Sequence, residues 1–110
     1  MTSDKFNFDD LNEFVKFENA RWQTRDKLTN RKEAILAGVT KLSEETGELA
    51  SEILINLGLV RKEKIHDNSE ELAGEFADCA LVLWMLADRI GVDMTDAIQK
   101  KIAVVRNRNY

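Results

Sequence analysis

Proline is absent from all 110 residues, and no other feature narrows the fold as much. Proline breaks helices at a cost of about 3 kcal/mol and marks tight turns and strand edges. A chain without it, with only five glycines, has few places to stop a helix. Leu, Ala, Glu, Lys and Asp recur between the glycines, and most of these residues favour helix over strand. The expectation is an all-α chain folded as a single domain over residues 1–110, a length that buries a modest core without disulfides or a structural metal.

Apolar period and punctuation place four helices. The first runs from about Phe8 to Leu28, with Leu11, Phe14, Val15, Glu18 and Trp22 on its inward side. Asn30, three residues before Glu33, is an N-cap with a capping-box partner. It opens a long second helix striped by Ile35, Val39, Leu42, Thr46, Leu49, Ile53 and Leu57, which Gly58 stops. Asn68 or Ser69 caps a third helix ending at Ile90 before Gly91, and Asp93 caps a fourth that turns Ala97, Ile98, Ile102 and Val105 inward. The third helix is apolar on nearly every side from Cys79 to Ala87. A lone four-helix domain covers such a helix poorly, so a second subunit is expected against it, in a homodimer or homotetramer.

Charge and length exclude several classes of function. Sixteen basic against twenty acidic side chains leave a net charge of −4, so no global positive field holds a nucleic acid. The run from Cys79 to Ala87 is the longest apolar one and falls far short of the ~20 residues of a membrane span. Met1 to Asp10 is polar and acidic, unlike a signal peptide, which points to a soluble, cytoplasmic protein. The lone Cys79 among apolar neighbours reads as an inert thiol, and the lone His66 as a solvated loop residue. No Gly-rich phosphate loop with its lysine is present.

The chemistry lies in the acids. Glu45 and Glu48 are three apart on the second helix, and Glu75 and Asp78 three apart on the third; such pairs project from one helix face about 5–6 Å apart. Glu48 and Asp78 stand equally far from the connection between the helices, so antiparallel packing sets both pairs at one level. Four carboxylates without His or Cys suit a hard ion, Mg²⁺ or Mn²⁺. The competing reading is a set of solvated acids on exposed helix faces. Against it, the row of Glu71, Glu75 and Asp78 continues into Val82 and Met85, which are expected to be buried. Gly47 and Gly74, one beside each pair, also suggest close approach of backbone or ligand.

Glu44-Glu45-Thr46-Gly47-Glu48, followed after a gap by Glu75-Phe76-Ala77-Asp78, resembles the signature of the MazG-like and dimeric-dUTPase-like all-α nucleotide pyrophosphohydrolases. That signature is Glu-Glu-x-x-Glu, a gap of variable length, then Glu-x-x-Asp. The apolar run after Asp78, the Gly91-Val92-Asp93 string and the late Lys and Arg are similar as well, so that the likeness spans about residues 33 to 108.

The resemblance implies an oligomeric four-helix Mg²⁺ enzyme that splits a nucleoside triphosphate into monophosphate and pyrophosphate. By position it makes Glu45, Glu48, Glu75 and Asp78 the metal ligands and Glu44 an outer acid that orients or deprotonates water. Lys101 and Arg108 are candidates to hold phosphates, with helix-dipole pairing as the alternative. Trp22 is a candidate stacking surface for the base, with a core role as the alternative. The other function considered for the whole chain is a non-enzymatic helical assembly or regulatory module. A ferritin-like di-iron site is set aside because no Glu-x-x-His occurs.

Overall fold

The computed structural model describes residues 5–25 and 30–110. Four helices carry the fold: α1 (Phe8–Arg25), α2 (Arg31–Asn56), α3 (Ser69–Ile90) and α4 (Met94–Arg106), with a short 3₁₀ turn at Lys62–Lys64 between α2 and α3. No strand occurs among the described residues, so the all-α expectation holds. The expected first helix extended to Leu28; its last three residues lie outside the described ones.

The helix ends follow local chemistry. Asn30 Oδ1 accepts from the Glu33 backbone N–H at 2.9 Å, and Asn30 Nδ2 donates to Glu33 Oε1 at 2.8 Å. Gly58 and Gly91 close α2 and α3 with φ of 71° and 92°, the left-handed region that glycine enters without penalty. Asp93 caps α4 by accepting from Asp96 N–H at 3.1 Å. Asn68 precedes α3 as expected, but its side chain does not cap the helix. Wholly buried, it reaches back to α2, where Nδ2 donates to the Glu52 carbonyl at 2.8 Å and to Glu52 Oε2 at 2.6 Å. Asn68 therefore pins the lower end of α3 to α2.

α2 and α3 form an antiparallel hairpin with the most extensive packing in the molecule, and α1 packs across α3. Among the described residues the buried apolar side chains are Val15, Val82 and Met85. The expected α2 stripe is partly corrected. Ile35, Leu42, Leu49 and Ile53 are half-buried, whereas Val39, Thr46 and Leu57 are exposed, because the packed face is centred on Gly38 and Glu45. On α1, Phe14 is likewise exposed while Val15 is buried. Of the close approaches of backbone or ligand expected at Gly47 and Gly74, that of backbone is not found among the described residues. A Cβ at either would meet nothing within 4 Å, whereas one at Gly38 would lie 2.8 Å from Leu86 Cδ1. Gly38 is where the side chains of Leu86 and Arg89 on α3 lie close over the α2 backbone.

A polar joint fixes α1. Arg89 of α3 donates from Nε to Asn19 Oδ1 at 2.9 Å and from Nη1 to the Ala34 carbonyl at 2.8 Å. Its guanidinium also lies 5.0 Å from the centre of the Trp22 ring. Asn19 Nδ2 completes the joint on the Met85 carbonyl and on Asp88 Oδ2.

α4 departs from expectation. Of its four residues expected to face inward, only Ile98 is half-buried; Ala97, Ile102 and Val105 are exposed, as is every residue from 99 to 110. Its packing on the body, against α3, is slight. The radius of gyration is 17.0 Å, against about 13 Å for a compact domain of this length. The accessible surface is 8427 Å², roughly 2,000 Å² more than a compact monomer of this mass exposes. No described helix is long and apolar enough to cross a membrane.

Candidate metal centre

The antiparallel hairpin brings Glu45, Glu48 and Glu75 together, each offering an oxygen within 4.8 Å of the others. The three differ in setting: Glu45 is buried, at 6% exposure, Glu75 half-buried and Glu48 exposed. Glu45 Oε2 and Glu75 Oε2 are both buried without a hydrogen-bond partner. Burying a carboxylate oxygen unpaired is costly, so a cation at this point would relieve both. The donor set is carboxylate oxygen throughout, which fits a hard divalent ion better than a thiophilic one.

Like charges crowd the cluster. The Glu75 carboxyl is pushed above the usual carboxylate range, first by desolvation and then by the charges of Glu48, Glu45 and Asp78. Desolvation and the same four acids push up the Cys79 thiol, which fits an inert sulfur.

The other candidate residues are placed less closely. Asp78 is exposed and acts on Glu75 through its charge, but its oxygens lie outside the tight group of three. Glu44 is exposed on the flank of Glu45. Lys101 and Arg108 lie in the exposed stretch that begins at residue 99, and Lys101 borders a shallow apolar groove with Ile98, Ile102 and Val105. Trp22 is half-buried, with Arg89 and Arg25 at 5.0 and 5.2 Å from its ring centre. Trp84 is half-buried; it stacks on Phe8 and donates to Asn12 Oδ1 at 3.2 Å. His66 is exposed, as read from the sequence.

Sequence reasoning passed over Lys41. Its Nζ lies 3.1 Å from Glu44 Oε1 and 3.1 Å from Glu45 Oε1. The signal was the spacing, since Lys41 stands one helical turn before both acids. Asn68 was likewise read only as a cap, because a long-range side-chain bond leaves no trace in local pattern.

An all-α hairpin whose two helices bring three carboxylates to one point, one of them buried, is an arrangement that could hold a metal ion. The chain belongs to the MazG-like family, whose sequence profile matches residues 39–109. That match covers every acidic candidate, Lys101 and Arg108, and excludes α1 with Trp22. Curated proteins and solved structures gave no match.

Proposed function

We propose that the chain hydrolyses a nucleoside triphosphate, ribo or deoxy, to the monophosphate and pyrophosphate, and does so in the cytoplasm with Mg²⁺, or Mn²⁺ as substitute. One observation carries the reading: three carboxylates from two helices converge on one point, with two buried oxygens that have no partner. Membership in the MazG-like family supports the reaction type.

In this reading Glu45, Glu48 and Glu75 hold the ion, and Asp78 completes the set by turning its exposed side chain inward. When bound, the ion would supply charge neutralisation at the phosphates and lower the pKa of water at the site. Glu44, flanking the ligands, would orient a water there or accept its proton. Lys101 and Arg108 offer cations to the phosphate chain, and Trp22 offers an aromatic face to the base.

Incubation with a panel of ribo- and deoxynucleoside triphosphates plus Mg²⁺, with products resolved by chromatography, tests the reaction. Monophosphate and pyrophosphate are expected from at least one substrate, and chelation should stop their formation. Diphosphate and orthophosphate as products would end the pyrophosphohydrolase reading. The second reading, a non-enzymatic helical module, draws on the exposed apolar residues of α3 and α4; it predicts no turnover of any substrate and no response to metal.

We also propose that a second copy of the chain covers Phe76, Ala80 and Leu83 of α3 and the stripe Ile98, Ile102 and Val105 of α4. The surplus surface, roughly 2,000 Å² per chain, exceeds the ~800 Å² per partner of a standard interface. Sedimentation at micromolar concentration should show a homodimer or homotetramer, and a monomer would refute this.

A further inference from the structure

We propose that Lys41 is a displaceable internal cation, holding Glu45 in the metal-free protein, yielding it to the entering divalent ion and then offering its freed ammonium to the substrate's phosphates. The nucleotide part rests on the pyrophosphohydrolase reading; the metal part does not.

The geometry supports each step. Glu45 is almost wholly buried; Lys41 reaches one of its oxygens at 3.1 Å, and the other, Oε2, is buried without a hydrogen-bond partner among the described residues. A single ammonium therefore compensates a site where three carboxylates converge. A divalent ion brings twice the charge and accepts several oxygens at once, so it outcompetes one lysine. The lysine also holds on weakly. Its side chain is 34% exposed, and a Lys placed N-terminal to its Glu at i,i+4 is the poorer orientation of such a pair.

Displacement does not free Lys41 entirely. Glu44 Oε1, also 3.1 Å away and 55% exposed as a side chain, keeps the ammonium tethered at the rim. A triphosphate bound to the metal delivers negative charge to that same rim. Metal entry thereby prepares the anion site, and the anion in turn favours the displaced lysine, which couples the two binding events.

The test titrates Mn²⁺ into nucleotide-free wild type, Lys41→Met and Lys41→Arg, and measures KM for an accepted nucleoside triphosphate. Lys41→Met should bind Mn²⁺ about fivefold more tightly, as removal of a charge competing at a partly buried pair implies, while its KM rises. Lys41→Arg should stay within about twofold of wild type on both counts, since it keeps the charge. Unchanged or weaker Mn²⁺ binding in Lys41→Met overturns the proposal. So does equal tightening in Lys41→Arg, which would trace the effect to something other than charge. An unchanged KM removes the phosphate role. A wild type that binds no Mn²⁺ sinks the metal centre itself, and the lysine proposal with it; a wild type that binds Mn²⁺ but hydrolyses no triphosphate leaves the titration as the deciding measurement.

Discussion

Glu48→Gln and Asp78→Asn should each lower triphosphate turnover by more than about a hundredfold and weaken Mg²⁺ binding, because on the proposed reading each removes a charged oxygen that the ion needs. Neither should harm the metal-free fold. The cluster is a set of like charges held close, which on the proposed reading serves function rather than packing. Glu75→Gln gives the sharpest reading. The raised Glu75 pKa means that its contribution to stability is fully present below the ordinary carboxylate pKa and is lost as pH rises through the raised value. Metal-free Glu75→Gln should therefore melt at or above wild type at neutral pH, with the difference vanishing in acid. Melting curves across pH, with and without Mg²⁺, check this alongside activity. Active Asp78→Asn protein with unaltered metal affinity would return these acids to the status of solvated surface charges.

Arg89→Ala should destabilise the protein by about 3 kcal/mol, lowering the melting temperature by more than about 10 °C. The substitution removes the Arg89 donors from Asn19 Oδ1 and from the Ala34 carbonyl and uncovers a face of Trp22. It breaks the joint between α1 and the hairpin at a distance in sequence from the carboxylates, so Mn²⁺ affinity in the folded state should change little. A loss below about 1 kcal/mol would mean that apolar packing, not this joint, holds α1 in place. Denaturant melts of Arg89→Ala and Asn19→Ala, singly and together, separate the two, since residues in one hydrogen-bond network are not additive.

Helix number, the caps at Asn30 and Asp93, and the two closing glycines were legible in the sequence because each depends on neighbours within a few residues. The meeting of Glu45, Glu48 and Glu75 was legible too, since it needs only helical spacing and an antiparallel hairpin. The misreadings lie where tertiary packing decides. Val39 and Leu57 fit an apolar period, yet the hairpin face is centred on Gly38 and a buried Glu45. α4 has an apolar stripe like any core helix, but of that stripe only Ile98 is half-buried while Ala97, Ile102 and Val105 stay exposed. The role of Arg89 was hidden because its partners lie 70 and 55 residues away. Lys41 was readable from spacing alone, and was overlooked because a lysine beside two glutamates is ordinary on an exposed helix.

The buried Asn68 makes the spacing of the carboxylates independent of the chain that joins them. It bonds a backbone carbonyl and a carboxylate of α2 directly, so the register of α3 against α2 is set after the connection has ended, not by the connection itself. A slip of one helical turn, about 5.4 Å, would carry Glu75 away from Glu48 and break both Asn68 bonds at once. Residues between Gly58 and Asp67 are then at liberty to change in number and kind while Glu75 still arrives opposite Glu45. A connection freed in this way from fixing the geometry should accept insertions and deletions while the three carboxylates still meet.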